Sequence, residues 1–213
     1  MVGSVPPAVR SAAAAILTVP LPRRPPDPDD PADRIRGWYE NELGWPTVPG
    51  EPVRLLVGER FDVLDVPAEA GLAALRRLTP GSPVAVRGDR MRLLVAAGGA
   101  EEVPGILEWL EWGALPLDLT AIGAGGLIEA PLPPPGESQG RDPGLNRPGP
   151  VQGAAVWLRP PVAGCEAEAS LPRMSALGGV GGAPDLVRLV DTLATHCHRV
   201  RLRRASAQPL AFS

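Results

Sequence analysis

Apolar residues recur along this chain with two periods. At residues 32–43 (ADRIRGWYENEL), Ile35, Trp38, Tyr39 and Leu43 fall near one face, which predicts a helix. VRLLV (53–57) and FDVLDV (61–66) are short runs rich in β-branched and aliphatic residues, which predict two strands around Gly58-Glu59-Arg60. PAEAGLAALRRL (67–78) predicts a helix with proline in its first turn. VAVR (84–87) and RMRLLVAA (90–97) predict a hairpin around Gly88-Asp89, whose order reverses the usual Asp-Gly. AEEVPGILEWLEW (100–112) predicts a helix with acids in its first turn. LDLTAI (117–122) and GLIEA (126–130) predict strands around a glycine turn, and AAVWLR (154–159) a further strand. Residues 184–204 predict a long amphipathic helix with Leu186, Leu189, Val190, Leu193 and Cys197 on one stripe. The order is α-β-β-α-β-β-α-β-β-β-α. The fold class expected is α+β, a mixed or antiparallel sheet with helices packed on one face.

Between these elements the chain is rich in proline and glycine. Its 28 prolines and 25 glycines make about a quarter of 213 residues, a load that borders on low complexity. They concentrate in a Pro/Ala-rich arm (1–33) and two loops (131–150 and 159–182). The arm is expected to be disordered, because PRRPPDPDDP (22–31) supports neither helix nor central strand. Residues 34–204 are expected to form one domain, followed by a short tail (205–213).

All 21 basic residues are arginine and the net charge is -3. This balance excludes a general binder of duplex DNA, which needs a basic face. Arg199, Arg201, Arg203 and Arg204 form the one local basic concentration. They suit either a phosphate contact or a helix end complementing its own dipole. Two cysteines make no disulfide framework. The apolar stretch at 11–20 is broken by Pro20 and followed by Arg23 and Arg24, not by a cleavage signal. No run is long enough to span a bilayer. The expected setting is the cytoplasm, with no membrane partner.

Few constellations carry chemistry. Asp62 and Asp65 lie in one strand, but positions three apart point to opposite faces. The plainer reading makes one a strand-edge acid and the other a cap for the helix starting at Pro67. His196, Cys197 and His198 are consecutive on a helix and fan apart, so with Cys165 they make no structural zinc set. Cys197 is expected in the core, with surface histidines beside it. The glycine stretch 178–182 precedes a helix but lacks the P-loop signature, and the chain has no lysine. Trp109 and Trp112 are three apart; packing of Trp109 against the sheet is expected, with base stacking as the other reading.

Several segments together resemble the bifunctional DNA primase/polymerase N-terminal (Prim-Pol) domain found in actinobacterial proteins, a branch of the archaeo-eukaryotic primase superfamily. The matching stretches are LGWPTVPG (43–50), GERFDVLDVPAEAGLAAL (58–75), PVAVRGDRMRLLVAAG (83–98) and IGAGGLIEAPLPPPG (122–136), in that order. The resemblance spans about residues 36–160 and implies an RRM-like core. It also implies a D-x-D pair, an S-x-H-like element and a later acid around Mg2+ or Mn2+. Asp65 matches the leading aspartate, but Pro67 stands at the second position. The stretch at 88–93 has no histidine, and Asp118 matches the later acid. The family's site is therefore degenerate here, and no cofactor is expected. The reading that follows is a binding or regulatory module for a nucleotide, single-stranded nucleic acid or a protein. If activity persists, Asp62, Asp65 and Asp118 would hold the metal, with Arg87, Arg90 or Arg92 on the triphosphate. A third reading makes the C-terminal helix and the Pro-rich arm docking elements for a protein partner.

Overall fold

The computed structural model describes residues 30–134, 153–162, 167–174 and 185–206. Most of the Pro-rich arm, most of the two loops, the glycine stretch 178–182, Cys165 and the end of the tail lie outside the described residues.

Helix α1 (Pro31–Gly37) starts inside the segment expected to be non-helical. Proline suits the first turn of a helix, where its missing N–H has no partner to lose. Pro31 takes that place, and the Asp30 side chain caps the Ala32 N–H at 2.9 Å. The chain continues through a π-helical turn (Trp38–Glu42) that buries Trp38 and Tyr39 together.

Strands β1 (Thr47–Val48), β2 (Arg54–Leu56) and β7 (Leu127–Glu129) form a three-stranded antiparallel sheet in the order β1-β2-β7. A five-stranded sheet has the order β6-β3-β5-β4-β8. It comprises β3 (Phe61–Pro67), β4 (Val84–Arg87), β5 (Arg90–Ala96), β6 (Thr120–Ile122) and β8 (Val156–Arg159), all paired antiparallel. The α+β expectation holds, but the strands divide between two sheets instead of one. β6 and β7 flank one glycine turn and yet enter different sheets. The glycine turn between β2 and β3 likewise leads from one sheet to the other. There Gly58 has φ +103°, and a Cβ on it would lie 2.2 Å from the Ala124 Cα. Only glycine fits that approach.

Alternation along β3 assigns its faces. Leu64 and Val66 point into a core built with α2 (Ala68–Ala74), α3 (Gly99–Trp109) and α4 (Leu186–Ser206). Phe61 and Val63 point the other way, into an aromatic core with Trp38, Tyr39, Trp45 and the three-stranded sheet. The molecule thus has helices on one face of the larger sheet and the smaller sheet with α1 on the other. Tyr39 joins these parts: its buried hydroxyl donates to the Pro131 carbonyl at 2.6 Å and accepts from Trp157 Nε1 at 3.0 Å. Burial pushes the Tyr39 hydroxyl well above its ordinary pKa, so it remains a donor.

The predicted stripe of α4 is spent in this core, because Leu186, Leu189, Val190, Leu193 and Cys197 are all buried. Leu202, near the end of α4, stays exposed. Burial lifts the Cys197 thiol to about 12, so it packs as a small apolar group. No helix among the described residues is long and apolar enough to cross a membrane.

Candidate functional site

The face of the five-stranded sheet toward the aromatic core is apolar at one end and charged at the other. Phe61, Val63 and Leu94 occupy the first end. Two residues further along each strand, the same face carries Asp65 on β3 and Arg92 and Arg90 on β5. Asp65 stands directly opposite Arg92, and Pro67 opposite Arg90, so both arginines meet one carboxylate across the ladder.

Arg90 Nε donates to Asp65 Oδ1 at 2.6 Å, and Arg92 Nε to Asp65 Oδ2 at 3.0 Å. Arg90 Nη2 also donates to the Asp65 carbonyl at 3.0 Å. Arg90 Nη1 reaches Asp118 Oδ1 at 2.6 Å, and Arg204 of α4 lies 3.6 Å from Asp118 Oδ2. A chain of alternating charges results, Asp89–Arg204–Asp118–Arg90–Asp65–Arg92. It ties the end of the long helix to the centre of the sheet. Burial lowers the Arg90 pKa, but the hydrogen bonds Arg90 donates to Asp65 and Asp118, with the attraction of both carboxylates, outweigh it and raise the pKa, so the charge is fixed. Beside this chain, Arg87 holds Glu129 of the smaller sheet at 2.7 Å. Buried Arg92 Nη1 has no acceptor among the described residues.

Asp62 belongs elsewhere. Its side chain points to the helical face, where Oδ2 accepts the Ala100 N–H at 2.9 Å at the start of α3. Its Oδ1 is buried with no hydrogen-bond partner among the described residues. Burial raises the Asp62 pKa, against the lowering effect of backbone N–H groups from Ala100 and Gly98. Helix α2, expected to be capped by Asp62 or Asp65, has Pro67 at its N-cap and no side-chain cap among the described residues. Of Asp62 and Asp65, it is Asp62 that meets a helix start, and the helix is α3.

The three carboxylates named from the sequence therefore do not converge. Asp65 and Asp118 come together through Arg90, while Asp62 faces away. A Mg2+ or Mn2+ ion needs free carboxylate oxygens, and all four side-chain oxygens of Asp65 and Asp118 face arginine nitrogens within 3.6 Å. These residues do not fit a divalent ion. Among the described residues, no group of three or more His, Cys, Asp or Glu side chains is placed to hold a metal.

The C-terminal arginines are largely engaged by their own domain. Arg203 pairs with Glu69, Arg204 with Asp89 and Asp118, and Arg201 donates to the Pro116 carbonyl at 2.8 Å. Arg199 lies exposed on α4 and adds to the cationic surroundings that, with burial, lower the His196 pKa. His198 is half-buried: its Nδ1 is covered and its ring packs against Trp112, centroids 6.0 Å apart. Trp112 Nε1 donates to Asp191 at 3.2 Å. Trp109, expected to pack on the sheet, is 75% exposed.

The role of Arg90 as a bridge was hidden in the sequence, because Asp118 stands 28 residues away in a loop before β6. The Asp65–Arg92 pair depends on the register of β3 against β5, which no local turn fixes. No protein-family model, curated protein or solved structure matches the chain significantly.

Proposed function

We propose that this chain is a catalytically silent, Prim-Pol-like module that binds a phosphate-bearing ligand, a nucleotide or a single strand, without turning it over. The observation that carries this reading is the pairing of Asp65 and Asp118 with Arg90, Arg92 and Arg204. In the active family the acids that Asp65 and Asp118 match would sit around a metal. Here arginine supplies the positive charge in place of the ion. The order of the four motif stretches supports the family reading, and the missing D-x-D partner and histidine agree with loss of chemistry.

Arg87 and Arg204 are half-exposed at the rim of the charged end, where a phosphate would meet them first. Arg90 and Arg92 lie deeper, and the unfilled Arg92 Nη1 favours an added acceptor. Arginine suits this task because its planar fork takes two phosphate oxygens at once. Contact with phosphate is electrostatic, so binding falls as salt rises.

Calorimetric titration of the full chain with dATP and with an oligothymidylate, in EDTA, tests the proposal. Saturable binding that weakens with salt and on Arg87→Met is expected. No saturable binding of either ligand at low salt would contradict it.

A further inference from the structure

Helix α3 leaves one face uncovered. Val103, Ile106, Leu107 and Leu110 pack into the helical core, and the opposite arc carries Glu101, Glu102, Gly105, Glu108 and Trp109. The Trp109 indole stands in solvent. Gly105 precedes it by one turn, and a Cβ there would meet nothing within 4 Å. The helix then ends on Glu111 in the left-handed region (φ 64°), with Trp112 N–H returning to the Leu107 carbonyl at 2.8 Å. This turn directs Trp112 back to α4 and leaves Trp109 outside.

The charge around the indole is of one sign. Glu101, Glu102, Glu108 and Glu111 are exposed, and none has a cationic partner among the described residues. The acids at the charged end of the sheet, by contrast, are held by arginines. An indole on a helix face whose charged residues are carboxylates disfavours phosphate and a nucleic-acid strand. It attracts a cation that can lie on an aromatic face while its N–H groups reach carboxylates. The guanidinium has that shape, and tryptophan is its best aromatic partner.

We infer that the outer face of α3 is a docking surface for a basic, arginine-bearing peptide segment of another protein, with an arginine over Trp109 and the flanking glutamates taking its N–H groups. This surface is separate from the arginine-rich end of the sheet and stands independently of the nucleotide reading.

A labelled hexa-arginine peptide titrated onto the full chain, followed by anisotropy at low salt, tests the inference. Saturable binding is expected, with hexa-glutamate inert as a competitor. Trp109→Ala should weaken binding by about two- to five-fold, and Glu101→Gln with Glu108→Gln should weaken it further. Both changes are on the surface, so unchanged circular dichroism is expected. Equal affinity of wild type and Trp109→Ala would overturn the inference, as would an oligothymidylate that loses binding on Trp109→Ala. A third result would also overturn it. If Arg23→Ala with Arg24→Ala in the full chain increases acrylamide quenching of Trp109, the chain's own arm is the occupant. Trp38 and Trp45 are buried and Trp112 and Trp157 half-buried, so the quenching that disappears in Trp109→Ala isolates the Trp109 signal.

Discussion

Replacing Asp65 by asparagine should cost more stability than any other single charge removal in the ion-pair chain. Asp65 is 13% exposed and pairs with Arg90 and with Arg92, which is 11% exposed. Without the carboxylate, the Arg92 guanidinium is left in a covered site with no anionic partner. Breaking a fully buried pair costs about 3–5 kcal/mol, and breaking an exposed one about 0–1 kcal/mol. This pair lies nearer the buried limit, so Asp65→Asn should cost about 2–4 kcal/mol. Arg90→Met should cost less, about 1–2 kcal/mol, because Asp65 keeps Arg92 and Asp118 keeps Arg204. Asp118→Asn should cost about 0.5 kcal/mol or less, since Asp118 is 46% exposed and screened by water. Urea unfolding at pH 7, followed by far-ultraviolet circular dichroism, gives the three values on one scale. In about 1 M salt, where the screening length is near 3 Å, the Asp118 effect should vanish and most of the Asp65 effect persist. An Asp118→Asn cost equal to that of Asp65→Asn would refute the burial argument.

Three further outcomes are expected. Asp62 has a folded pKa above its ordinary 3.8, so the native state binds the extra proton between those two values. The stability that Asp62 contributes relative to Asp62→Asn should therefore fall as pH rises from about 4 through the folded pKa, then level off; paired urea titrations at pH 4.5 and 7 would count against this if the difference stayed flat or rose. Tyr39→Phe leaves the Pro131 carbonyl and Trp157 Nε1 without their partner, which should cost about 1–3 kcal/mol in thermal or urea unfolding; a neutral result would mean that water replaces the hydroxyl. Gly58→Ala should destabilise by about 3 kcal/mol or more, since the added Cβ meets Ala124 backbone at a positive φ, and a soluble variant with unchanged unfolding midpoint would disprove the close approach.

Much of the fold was legible because its elements are local. The 84–97 hairpin, the α4 stripe and the start of β3 follow from periodicity and turn residues. In the hairpin turn, Gly88 takes φ +57° at the first central position, the place a reversed Gly-Asp order suits. The division into two sheets was not legible, since it depends on which neighbours β6 and β7 find and not on their own residues. β1 was missed because two residues between prolines carry no period. The helix-capping role of Asp62 required a contact across 38 residues. The exposure of Trp109 did have a signal: Val103, Ile106, Leu107 and Leu110 define the buried stripe of α3, and Trp109 lies roughly 100° off its centre at 3.6 residues per turn.

The central claim is that arginine, and not a metal ion, occupies the carboxylates at the charged end of the sheet. Primer extension by the full chain with Mn2+, a primed template and all four dNTPs tests it most directly. No extension is expected at any Mn2+ concentration. Extension that disappears in Asp65→Ala would contradict the account.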